Sequence, residues 1–200
     1  MRSIRRRLVA IAAATSVVLL GSAAAAQAET LTVHDGRHDV WAGAAADGLA
    51  AYQPAPHQRS GDVLMARLRY GPHNLVLTQR FVRLARNGDG DIYGFRLRTE
   101  GRMHRMIQVQ AFRSGWAGSV AMTRPNGRLV ACDGLAEDID YAHDLVRVVL
   151  PTSCLRDPSW VQFSALSAHI TRDDRWLVDN PHDDQASFRG WSARVRPTAG

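Results

Sequence analysis

The chain has 200 residues, with 25 basic side chains, all of them arginine, against 19 carboxylates, a formal charge of +6. Four of those arginines (Arg2, Arg5, Arg6 and Arg7) precede an apolar run from Leu8 to Ala26, so beyond residue 28 the balance is 21 against 19, or +2. A domain so nearly neutral lacks the basic footprint of a nucleic-acid partner, and two cysteines are too few for a structural zinc centre.

The basic start, the alanine-rich run and Ala26-Gln27-Ala28 read as a secretory signal peptide over residues 1–28. The protein is therefore expected to be secreted, outside the cell or at its envelope. No later segment is apolar enough for a membrane span in the mature form. Residues 29–193 are long enough for one domain with a sizeable core, and 194–200 read as a flexible tail. The absence of lysine and the abundance of alanine fit a GC-rich bacterial genome.

From residue 31 the pattern has period two rather than the helical period. Extended runs are predicted at 31–34 and 39–42. Over 62–70, Leu64, Ala66, Leu68 and Tyr70 share one face, with Val63, Met65, Arg67 and Arg69 on the other. The next runs are 74–84 and 91–99, where Tyr93, Phe95 and Leu97 oppose Arg96 and Arg98, followed by 105–113, 118–123, 128–131, 138–141, 145–150, 160–168 and 175–178. A short helix is expected over 42–51 and a single turn over 151–155. Gly71-Pro72-His73, 87–90, 124–127 and 179–181 carry turn chemistry. The fold class is all-β, an antiparallel β-sandwich of jelly-roll-like character. In an oxidising destination Cys132 and Cys154 are expected to pair.

Charge is segregated along the chain. Between residues 67 and 128 there are 12 arginines and three acids; between 133 and 184 there are 11 acids and four arginines. The expectation is that neighbouring strands pair these faces, the alternative being an arginine-rich face for an anionic polymer such as a wall polysaccharide.

Two sets of oxygen ligands are candidates for calcium. Asn87, Asp89 and Asp91 alternate as in a calcium loop, but Ile92 and Arg98 stand where an EF-hand needs glycine and glutamate, so a hairpin turn explains them better. Asp35 and Asp39 near the start could meet Asp179, Asp183 and Asp184 near the end, because termini often approach in a compact domain. His34 and His38 have helical ligand spacing, which Gly36 contradicts. No G-x-S-x-G elbow or phosphate-binding glycine loop is present. Of five tryptophans, Trp116, between Gly115 and Gly118 in an apparent loop, is the candidate for an exposed sugar-stacking ring.

Gly61-Asp62-Val63 opening an arginine-containing strand, Met122-Thr123-Arg124-Pro125-Asn126-Gly127 leading to Cys132, Ile139-Asp140-Tyr141, and Leu150-Pro151-Thr152-Ser153-Cys154-Leu155 with Pro158 and Trp160 together resemble a group of secreted actinobacterial proteins. That group is distantly similar to carbohydrate-binding and DOMON-like β-sandwich modules. The resemblance implies a sandwich fold and supplies no functional residue. The expected function is non-enzymatic binding of an extracellular or cell-wall glycan, with calcium as an optional structural ion. The alternatives are a secreted hydrolase whose catalytic groups converge from separate strands, recognisable by a buried carboxylate–histidine pair in a cleft, and a structural envelope protein.

Overall fold

A computed structural model describes residues 29–183 and 185–197. Residues 1–28, over which a signal peptide is expected, Asp184 and residues 198–200 lie outside the described residues. Twelve strands are formed: β1 (Glu29–His34), β2 (Trp41–Ala44), β3 (Gln53–Pro54), β4 (Val63–Tyr70), β5 (Asn74–Phe81), β6 (Gly90–Thr99), β7 (His104–Phe112), β8 (Gly115–Thr123), β9 (Ala136–Asp140), β10 (Leu145–Pro151), β11 (Val161–Ile170) and β12 (Arg175–Asp179). They make two antiparallel sheets, a five-stranded one in the order β1-β4-β5-β10-β9 and a seven-stranded one in the order β3-β2-β12-β11-β6-β7-β8. The all-β antiparallel sandwich is the fold. Among the described residues no helix is long and apolar enough to cross a membrane.

Alternation explains which faces meet. Leu68 and Tyr70 of β4, Leu75, Leu77 and Phe81 of β5 and Val146, Val148 and Leu150 of β10 point inward from one sheet; Tyr93, Phe95, Leu97, Ile107 and Phe163 point inward from the other. All are at most 2% exposed. Phe81 and Tyr93 meet edge to face across the sandwich with centroids 5.4 Å apart, a preferred aromatic geometry. A buried Tyr70 would strand its hydroxyl, so it donates to the Pro158 carbonyl.

Local deviations have local causes. A register shift between Val63 and Met65 turns Val63 inward, to 0% exposure, although simple alternation puts it with the outward arginines. The expected helix over 42–51 becomes the end of β2 and two 3₁₀ turns, Ala45–Asp47 and Leu49–Ala51. Gly48 between them has φ 70° and ψ 154°, which no right-handed helix accommodates. The expected strand at 128–131 reduces to one bridge, Thr123 to Leu129, with Leu129 73% exposed. The turn predicted at 151–155 is a 3₁₀ turn, Thr152–Leu155.

Cys132 and Cys154 form a disulfide that ties the loop after β8 to the turn after β10. The chain past residue 193 is no frayed tail as far as it is described: Val195 pairs with Val161 in both directions, at 2.9 and 2.8 Å, and is 0% exposed. It occupies the edge of β11 that the short β12 leaves uncovered.

The charge blocks do not neutralise each other strand by strand. In the paired strands no arginine of the first block stands opposite an acid of the second; Asp138 opposite Arg147, on β9 and β10, is a pair within the second block. Arg67 and Arg69 lie on the outer face of the five-stranded sheet, and Arg96 and Arg98 on the outer face of the seven-stranded one. Among the described residues the single arginine–carboxylate ion pair is Arg113–Asp89, at 3.4 Å and exposed.

Candidate ligand face and carboxylate cluster

The outer face of the seven-stranded sheet carries a second apolar cluster, in which Leu166, Ala168 and Val178 are buried and Trp41, Ile92, Trp176 and Phe188 are partly exposed. Alternation against the inward Tyr93, Phe95 and Leu97 sends Ile92, Gly94, Arg96 and Arg98 of β6 outward; register places Met106 opposite Arg96 and His104 opposite Arg98 on β7. Trp176 and Val178 of β12 and Trp41 of β2 continue the same face. The segment after β12 crosses it. Asn180 donates to the Ser187 and Arg189 carbonyls, and Arg96 Nη1 donates to the Phe188 carbonyl at 2.7 Å. Phe188 lies directly on Gly94: a Cβ there would come within 2.5 Å of the ring.

Trp191, the next aromatic of that segment, is clasped by both arginines. The guanidinium carbons of Arg96 and Arg98 stand 4.8 and 4.5 Å from its ring centroid, and the His104 ring meets it edge-on at 6.0 Å. Arg98 Nε is further held by Gln162 Oε1 at 2.9 Å. Burial and the neighbouring charge of Arg98 push the Arg96 guanidinium below its ordinary pKa. No carboxylate of the described residues pairs with either. On one side of Phe188 lies a cleft of about 270 Å³ bordered by Arg96, His104, Met106, Pro125 and Trp191. On its other side a second cleft of about 180 Å³ runs past Gln108 to Trp176, and Trp41, Tyr52, Gln185, Ala186, Ser187 and Arg189 border a third of about 570 Å³. None of the five tryptophans is fully buried.

Trp116 is not part of this face. It lies in β8 rather than in a loop, on the inward side with Val120 and Met122, half-buried. Its ring packs edge-on to Tyr141 at 6.4 Å, and its carbonyl accepts the Tyr141 hydroxyl at 3.0 Å. The strand extends further than its glycines suggest, which fixes the ring's direction. The aromatics that do share a face, Trp41, Trp176 and Trp191, are visible singly in the chain; only the crossing of the C-terminal segment assembles them.

The carboxylates near the two ends of the chain do converge. Asp35 follows β1, Asp39 precedes β2 and Asp179 ends β12, and each offers an oxygen such that all three lie within 4.8 Å of one another. Backbone donors set the frame. Gly36 N–H donates to Asp35 Oδ1 at 2.8 Å, and Val63 and Asn180 N–H donate to the two Asp179 oxygens at 2.6 and 2.7 Å. A Cβ at Gly36 would meet Asp39 Oδ2 at 2.8 Å, so the absence of a side chain lets Asp39 fold in. Asp62, which local pattern marks only as the opening of a strand, belongs here: it is 0% exposed, and His38 N–H donates to its Oδ2 at 3.0 Å.

Charge is crowded. Burial, then the charges of Asp179 and Asp39, push the Asp35 carboxyl up to about 8. Burial raises Asp179 to about 7, with Asp39 and Asp62 adding to it against the Val63 N–H bond. Asp62 is raised as well, chiefly by burial. Asp183 is not in the cluster: its N–H bonds the Asn180 carbonyl in a turn that carries the chain away, and Asp184 lies outside the described residues.

The other calcium candidate does not assemble. Asp91 points into the core, where Oδ1 meets His169 Nδ1 at 2.8 Å, whereas Asp89 is exposed beside Arg113. Asn87 lies in the connection from β5 to β6, which crosses between sheets instead of closing a hairpin. The strand pleat that begins at Gly90 separates the three side chains. Asp91 and His169 are the buried carboxylate–histidine pair that a hydrolase would need, but each is at most 4% exposed and neither borders the clefts described above. Ser167, on the same face of β11, gives its hydroxyl to the Gly61 carbonyl at 2.6 Å.

Comparison with known proteins finds no matching protein-family model and no matching curated relative.

Proposed function

We propose that the protein is an exported, non-catalytic β-sandwich that binds an extracellular or cell-envelope glycan on the outer face of its seven-stranded sheet. The observation that carries this reading is the row of half-exposed rings, Trp41, Trp176, Phe188 and Trp191, flanking clefts of sugar size on one sheet face. Indole and phenyl faces stack on the C–H faces of pyranose rings, and polar tips at the rim supply hydrogen bonds. Arg96 and Arg98, oriented by Trp191 and with no carboxylate partner among the described residues, favour an acidic glycan, because a planar guanidinium matches a carboxylate in two parallel hydrogen bonds. The disulfide suits an oxidising compartment. The sealed Asp91–His169 pair gives a hydrolase nothing to present to a substrate.

The test is retention of the mature domain on purified wall and extracellular glycans, acidic and neutral, beside a Trp191→Ala variant checked for an intact melting transition. Capture is expected on at least one acidic glycan, and the variant should weaken it about fivefold, equivalent to the roughly 1 kcal/mol of an aromatic contact. Retention on none of them, or undiminished retention of the variant, overturns the reading.

A further inference from the structure

We propose that Asp35, Asp39 and Asp179, with the buried Asp62 beside them, form a binding site for one calcium ion at the end of the sandwich where β1, β4 and β12 meet. The inference is independent of the glycan reading. Three of the four carboxylates place oxygens within 4.8 Å of one another, yet among the described residues no arginine or histidine pairs with any of them.

A separate observation concerns Asp62. It lies outside that set of three, is completely buried, and its Oδ1 has no donor of any kind. Its direction is fixed from both sides. Its Oδ2 takes the N–H of His38, the residue before Asp39, while the N–H of the next residue, Val63, goes to Asp179. Asp35 Oδ2 and Asp39 Oδ1 are likewise sealed from solvent without a donor. A buried carboxylate oxygen left without a donor or counter-ion is costly; two such oxygens belong to the set of three, and that of Asp62 lies beside it. A cation held among Asp35, Asp39 and Asp179 supplies the missing counter-charge for all of them.

The donor set selects the ion. It is oxygen only, with no sulfur or imidazole, which suits a hard cation. Calcium accepts six to eight oxygens in irregular arrangements, whereas magnesium demands a near-octahedral shell and keeps most of its waters. Carboxylates from three separate parts of the chain, three of the four pinned by backbone N–H groups, form an irregular, preset cage rather than an octahedral one.

The experiment uses the mature chain stripped with chelator and titrated calorimetrically with calcium chloride and, separately, magnesium chloride, with melting curves in parallel. One equivalent of calcium is expected to bind and to raise the melting temperature, and magnesium to bind at least tenfold more weakly. Asp39→Asn removes a charge while cutting no backbone hydrogen bond; it should weaken calcium at least tenfold and melt no lower than the wild type in chelator. Asp35→Asn serves as the second variant should Asp39→Asn not fold. No heat and no thermal shift at about 10 mM calcium, well above the affinities of extracellular sites, overturns the proposal. So does undiminished binding by the variant, and magnesium binding as tightly as calcium overturns the choice of ion.

Discussion

Replacing Asp35 by asparagine isolates the electrostatic strain of the carboxylate cluster in the metal-free protein. The variant retains an oxygen for the Gly36 N–H bond of 2.8 Å. At the position of the donorless Oδ2 it places an amide that can donate to Asp39. Asp35 in the fold holds its proton up to about pH 8, against an ordinary value of 3.8. A group whose folded pKa is raised contributes stability that is fully present below the unfolded value and is lost as pH rises through the folded one. The chelated wild type should therefore lose stability progressively from about pH 4 to about pH 8, the charged groups acting on Asp35 being Asp179 and Asp39. A tenfold difference in proton affinity between the folded and unfolded chain corresponds to about 1.36 kcal/mol. Asp35 is only partly buried and shares the effect with its neighbours, so solvent screening reduces the nominal total to about 1–2 kcal/mol between pH 5 and pH 8. For a domain of this size that is a difference of about 3–6 °C in melting temperature. Calorimetric melting of both proteins in chelator should find them nearly equal at about pH 5, and the variant higher by that amount at about pH 8. Parallel pH profiles, or a variant that melts lower at the alkaline end, would refute the reasoning.

Two further perturbations address the scaffold. Removing the disulfide with Cys132→Ala and Cys154→Ala frees a loop of sequence separation 22, worth about 3 kcal/mol in the chain-entropy treatment and about 6–12 °C by scanning calorimetry; a drop under about 2 °C would show that the unfolded chain gains little freedom. Gly94→Ala sets a methyl group within 2.5 Å of the Phe188 ring, while the Phe188 carbonyl stays tethered to Arg96. The ring must lift from the sheet, at about 1–3 kcal/mol, and retention on glycan should fall with it; unchanged melting and unchanged retention would show that Phe188 shapes neither cleft.

The elements of the fold are largely legible in the chain because a β-strand writes itself as alternation. The inward Tyr93, Phe95 and Leu97 against outward Arg96 and Arg98 need nothing but period two. The pairing of Cys132 with Cys154 follows from their being two, and the meeting of Asp35, Asp39 and Asp179 from the closeness of chain ends. What alternation does not encode is where it slips: the bulge that buries Val63 also leaves Asp62 inside the cluster. Nor does it say which outer face will be covered. Trp116 has the flanks of an exposed loop ring, yet it faces inward because β8 runs on to Gly115. Val195 has the setting of a tail residue, yet it fills the edge of β11 that β12 is too short to reach.

The class of fold, the strand faces and the disulfide are written in the chain, since they depend on residue type and on neighbours in sequence. Which carboxylates share a cage and which aromatics share a face is decided only in three dimensions. Both are set by contacts between segments far apart in the chain, such as Val63 with Asp179 and Arg96 with Phe188, for which no local pattern exists.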